Sequence, residues 1–109
     1  MKVVVQSGSR HSLSRRDAEA VLASLPRSWG AQVDKIVLVH GERLEASFHR
    51  KEQVLALHCP WEPSSQRNKA TVVAVLVQAL ADASGTKLPD GLVARCQEAV
   101  SVSREDSQP

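Results

Sequence analysis

The chain has 109 residues, of which 42% are hydrophobic and 24% charged, a balance that suits one globular domain and excludes a disordered or collagen-like chain. Fourteen Lys plus Arg against twelve Asp plus Glu leave a formal charge of +2, too small to point to nucleic acid without a clustered basic face. The first residues lack the apolar core of a signal peptide and no run approaches the roughly 20 apolar residues of a membrane span. Cys59 and Cys96 lie far apart and in no C-x-x-C pair, so no disulfide framework or zinc knuckle is expected, and a reduced cytoplasm is the expected location.

Taken in chain order, "KVVVQ", Lys2 to Gln6, is a short β-branched run that predicts a strand entering the Ser7–Ser12 loop. In "SRRDAEAVLASLP", Ser14 and Asp17 have the spacing of a capping box, with Asp in place of Glu or Gln. Ala18, Val21, Leu22 and Leu25 recur at helical spacing, which predicts an amphipathic helix ending before Pro26, with Arg15, Arg16 and Glu19 on its other face. A loop with Trp29 and Gly30 leads to three strand-length runs, "KIVLVH", "LEASFH" and "QVLALH", separated by "GER" and "RKE". Such short connections predict an antiparallel meander. Its middle strand alternates Leu44, Ala46 and Phe48 with Glu45, Ser47 and His49, as a strand with one wet face does.

After the loop "CPWEPSSQRNK" comes "TVVAVLVQALADA", the most apolar run of the chain. Its valines favour a strand and its Ala and Leu a helix. Length decides for a helix from Lys69 to Ser84, with Ser84-Gly85 as its C-terminal signal, covered on several sides by the sheet, another helix or a partner chain. "PDGLVARCQEAV" predicts a last helix with Leu92, Cys96 and Val100 on one face. The expected domain is therefore α+β over residues 1–101, in the order β-α-β-β-β-α-α. A small, mostly antiparallel sheet carries two or three helices on one face, and residues 102–109 form a polar tail.

A helix-then-meander unit followed by a buried helix, covering roughly Ser14 to Ser84, resembles the minimal scaffold of zincin metalloproteases, in which the helix after the meander carries H-E-x-x-H. Laid on "VAVLVQAL", the first His of that motif falls on Ala74, its Glu on Val75 and its second His on Gln78. Ala74 and Val75 offer neither a zinc ligand nor a general base. The resemblance thus implies a degenerate, non-catalytic relative, and without it the run is a core helix.

His40, His49 and His58 recur every nine residues. In a meander His40 and His49 lie at opposite sheet ends, while His40 and His58 share an end across an intervening strand, where Cys59 or His11 could join them. Ordinary strand-end histidines are the simpler reading. His58 and Cys59 are strand neighbours that point to opposite faces and cannot form a dyad. Arg10, Arg15 and Arg16, with Arg50, Lys51, Arg67 and Lys69, are the candidates for phosphate contacts, but acidic residues interleave and an aromatic platform is lacking. Trp29 and Trp61 either plug the core edge or anchor a partner. An edge strand of the meander, or the first strand, offers a pairing edge to another chain.

The functional expectation is a small cytoplasmic binding or regulatory module acting through an unknown protein partner or self-association. It has no catalytic residue, no metal and no cofactor, and Trp29 and Trp61 are its partner-binding candidates. The alternative is a nucleic-acid-binding accessory protein that uses Arg10, Arg15 and Arg16. An enzyme would need a site assembled from His40, His58 and Cys59.

Overall fold

The computed structural model describes residues 2–6, 13–31, 33–59 and 66–106. The elements are β1 (Lys2–Val5), α1 (Arg15–Ala23), a short 3-10 turn (Arg27–Ala31), β2 (Lys35–His40), β3 (Glu45–His49), β4 (Val54–Cys59), α2 (Gln66–Ala83) and α3 (Leu92–Asp106). The α+β class and the element order expected from the sequence are both found. The helix α2 starts a few residues earlier than expected, and the backbone of α3 runs on to Asp106, into the stretch expected to be tail.

The sheet is mixed, with strand order β1-β2-β4-β3. β1 runs parallel to β2 and β2 parallel to β4, while β3 pairs antiparallel with β4 alone. This corrects the meander and the mostly antiparallel sheet: β4 is inserted between β2 and β3. The physical reason lies in side-chain pattern rather than loop length. β4 carries an unbroken alternation of buried and half-buried residues from Val54 to Cys59, so it is the strand best served by neighbours on both sides, and near-continuous apolar runs are the mark of parallel central strands. β3, with Glu45, Ser47 and His49 on one face, tolerates the edge. Stepping across β4 requires about 9.6 Å, two strand spacings, and the connection 41–44 can reach about 13 Å when extended. Gly41 lets that connection pass close to β4, since a Cβ there would stand 3.0 Å from the His58 Cβ.

The β3–β4 turn also fixes the start of β2. Gln53 sits in the left-handed region at φ 56°, and its carbonyl accepts from the backbone N–H groups of Asp34 (2.8 Å) and Lys35 (3.3 Å). Those bonds set Lys35 beside Val54, from which the parallel register follows.

One face of the sheet is dry. The rows Val3–Ile36–Leu55–Phe48 and Val5–Leu38–Leu57–Ala46 alternate with Lys2–Lys35–Val54–His49 and Val4–Val37–Ala56–Ser47. Buried strand residues fall only on the first set of rows and on Cys59, which lies on the same face. There they join Ala18 and Val21 of α1, Val72, Val73, Leu76, Val77, Leu80 and Ala81 of α2, and Leu92, Cys96 and Val100 of α3 in one core. The helices therefore gather on one face, with α1 against β1, α2 against β3 and β4, and α3 touching both α1 and α2. The apolar breadth of α2 is explained within the chain, because the sheet covers one flank and α3 another. It ends in a Schellman cap: Thr86 N–H donates to Ala81 O and Gly85 N–H to Asp82 O, both at 3.1 Å, with Gly85 at φ 68°.

The capping box read from Ser14 and Asp17 is present and does more than cap. Asp17 N–H donates to Ser14 Oγ and Ser14 N–H donates to Asp17 Oδ2, each at 3.1 Å. The same Oδ2 accepts from Lys69 Nζ at 2.8 Å, from the first turns of α2. The Asp17 side chain is 6% exposed and that of Lys69 21%, so one carboxylate starts α1 and ties it to α2 out of water. Removing one partner of such a pair leaves a charge with poor solvation. We expect Asp17→Ala to cost about 3 kcal/mol, through the lost cap and the stranded ammonium, and Lys69→Met to cost less, since Asp17 keeps its bond from Ser14. Chemical denaturation of both single variants and the double variant should show a coupling of at least about 0.5 kcal/mol. Strict additivity would contradict the link.

Candidate groove between the first strand and the first helix

A groove of about 1050 Å³ lies between β1 and α1, lined by Lys2 to Val5, by Arg15, Glu19, Leu22 and Ala23, and by Leu25, Pro26 and Arg27. Its walls follow from local sequence. α1 turns Ala18 and Val21 into the core, which leaves Leu22, one residue round, half-buried at the groove wall. The helix stops because Ser24 N–H reaches back to Val21 O and Leu22 O while Ser24 Oγ donates to Ala20 O, and Pro26 cannot continue it. Leu25 and Pro26 then turn across the groove end.

The opposite wall is an edge strand. Lys2 N–H donates to Asp34 O at 2.9 Å and Gln6 N–H to Leu38 O at 3.1 Å. The period of two along a strand therefore directs the N–H and C=O of Val3 and Val5 away from β2. Val4 and Val5, each 40% exposed, are the exposed large hydrophobic residues among those described. They are consecutive on this edge, Val5 on the helix side of the sheet and Val4 on the opposite face. An uncovered apolar edge strand is normally blunted by charge, proline or a bulge; among the described residues only Lys2 does so here.

The charge of the groove is asymmetric. Arg15 is paired with Glu19 through Arg15 Nε and Glu19 Oε1 at 3.1 Å, with side chains 70% and 58% exposed, a solvent-screened contact worth tenths of a kcal/mol. Lys2 and Arg27 have no ion-pair partner among the described residues. Because α1 returns the chain from the Val5 end of β1 to the start of β2 beside Lys2, Arg27 comes back to the Lys2 end.

The residues singled out in the sequence are dispersed. Trp29 is 4% exposed in the core, and its carbonyl accepts from Ser84 Oγ at 3.4 Å, so of its two readings it fills the core plug. Trp61, Arg10, His11 and the Ser7–Ser12 loop lie outside the described residues. Arg15 and Arg16 are exposed on α1, and Arg15 is engaged by Glu19. Lys69 is committed to Asp17.

The histidine geometry changes with the sheet order. His40 and His49 do lie at opposite ends, but no strand intervenes between His40 and His58, since β2 and β4 are direct neighbours. His40 stands beside Cys59, and His58 stands between Val39 and Glu45. Alternation puts His58 on the face opposite to both His40 and Cys59, so the set His40, His58 and Cys59 does not converge. Among the described residues no group of three or more His, Cys, Asp or Glu could hold a metal ion, and no helix is long and apolar enough to cross a membrane. On α2, Ala74 and Val75 are half-buried and Gln78 is exposed, with Gln78 Nε2 donating to Asp82 Oδ1 at 3.1 Å.

Cys59 and Cys96 are both buried. The Cys96 Sγ lies 4.0 Å from the Val21 carbonyl, linking α3 to α1. Burial pushes its thiol pKa up, against the weaker pull of the neighbouring Arg95 charge. A folded-state pKa above the unfolded one favours the neutral thiol, so its contribution to stability is full below the unfolded thiol pKa and fades as pH rises through the folded value. We expect Cys96 to resist a thiol-specific reagent until the chain unfolds, and the alkaline loss of stability to flatten in Cys96→Ala. Rapid stoichiometric labelling of Cys96 in the native chain would contradict this burial.

No protein-family model, curated protein or solved structure matches the chain.

Proposed function

We propose that the chain is a small non-catalytic binding or regulatory module that acts through protein–protein contacts. The observation that carries the reading is the pair Val4 and Val5, exposed on a strand edge beside a groove with half-buried Leu22 and Leu25 in its walls. Exposed apolar side chains next to unpaired strand backbone favour association with another polypeptide. Ala74, Val75 and Gln78 on α2 lack the ligands and base of a zincin site, and His58 faces away from the neighbours His40 and Cys59, both of which favour binding over catalysis. The element order through α2 supports the reading of a degenerate zincin-like domain. The strand pairing gives that resemblance no meander. The Arg10–Arg16 alternative is less favoured because an acidic residue, Glu19, interleaves with its arginines at Arg15.

The test is affinity capture from source-cell lysate, with and without nuclease, using the intact chain and Val5→Glu. The reading expects a stoichiometric protein that survives nuclease and is lost with Val5→Glu at unchanged melting temperature. Recovery of nucleic acid alone, released by salt, would overturn it. Stoichiometric zinc in tag-free protein would overturn the non-catalytic, zinc-free part.

A further inference from the structure

Several features bear on how a partner would be held. The outward N–H and C=O groups of Val3 and Val5 have the spacing to which a strand pairs, and their side chains stand on the helix side of the sheet. A strand laid along this edge would direct every second side chain into the groove, toward Leu22 and Leu25. At the Lys2 end it would meet Arg27, which has no ion-pair partner among the described residues, while the Lys2 side chain belongs to the opposite face of the sheet.

The same charges argue against a second copy as occupant. Two β1 edges paired antiparallel would bring together two grooves, each carrying, among the described residues, Lys2, Arg15 and Arg27 against Glu19 alone, and the four-residue strand offers little pairing to offset that repulsion. An acidic partner removes the repulsion and supplies the missing counter-charge.

Building on the binding-module reading, we propose that the free edge of β1 takes an extended segment of a partner protein as a fifth strand. Alternate apolar side chains of that segment enter the β1–α1 groove, and a carboxylate at one end engages Arg27. Main-chain bonds from Val3 and Val5 give the affinity. The groove and its cations select acidic-apolar over basic segments.

The test uses two fluorescent peptides, one with alternating valines followed by two aspartates and its counterpart with two lysines. The expected result is saturable anisotropy for the acidic peptide, at least about tenfold weaker for the lysine peptide and in Arg27→Glu. Backbone amide resonances of Val3 and Val5 should move most. Val5→Pro removes an outward donor while sparing the bonds that Lys2 and Gln6 make to β2. It should weaken binding about tenfold, the fold-change expected for one lost hydrogen bond, at unchanged circular dichroism. Failure of the acidic peptide to bind, binding indifferent to Val5→Pro and Arg27→Glu, or a dimer formed through the Val3 and Val5 amides would each overturn the proposal. Repeating the lysate capture with Val5→Pro separates the two levels. A protein retained by this variant but lost with Val5→Glu would overturn strand addition and leave the binding-module reading standing, whereas no captured protein at all would overturn the binding-module reading.

Discussion

Much of the architecture hangs on one carboxylate. Asp17 closes the capping box with Ser14 and accepts from Lys69 of α2 while nearly excluded from water. That arrangement fixes where α1 begins. α1 then directs Ala18 and Val21 into the core, receives α3 along the same side through Cys96, and leaves Leu22 facing β1. The groove exists because the helix is held beside an edge strand from which it neither withdraws nor collapses onto the free backbone. An ion pair of this sort adds little net stability over an apolar pair of the same shape, yet breaking one half is costly. Its value to the chain is in fixing the position of α1 rather than in net stability.

The second constraint is the insertion of β4 between β2 and β3. It places the most apolar strands in the middle and the polar face of β3 at the rim, so one edge of the sheet is charged and hydroxylated while the other, β1, keeps Val4 and Val5 exposed. The two edges are thereby unequal. Among the described residues one edge carries Glu45, Ser47 and His49 and the other Lys2 alone, and the proposed association rests on that asymmetry.

How far the sequence could be read depended on the range of the interaction involved. Local signals were legible: Ser14 and Asp17 as a capping box, the helical spacing of Val21 with Ala18, the stop before Pro26, and Leu92, Cys96 and Val100 as one buried face. Strand existence was legible too. Strand pairing was not, because "GER" and "RKE" look alike as short connections, and only one of them closes a hairpin. The other steps over a strand, helped by Gly41 against His58. The near-continuous apolar character of "KIVLVH" and "VLALHC" was the available hint of parallel central strands. Lys69 could not be matched to Asp17 from sequence, since their separation of 52 residues leaves no local pattern. The groove residues were legible singly, with the first strand read as a pairing edge, but Leu22, Leu25 and Arg27 became parts of one surface only once α1 was placed beside β1.

The central claim is that the outer edge of β1 is free in the isolated chain. Amide hydrogen exchange of the native protein, resolved at β1, tests it directly. The account predicts that Val3 and Val5 exchange rapidly while Val4 and Gln6, whose N–H groups point to β2, are protected. Equal protection of Val3 and Val5 in the monomer would show that the edge is already covered and would contradict the account.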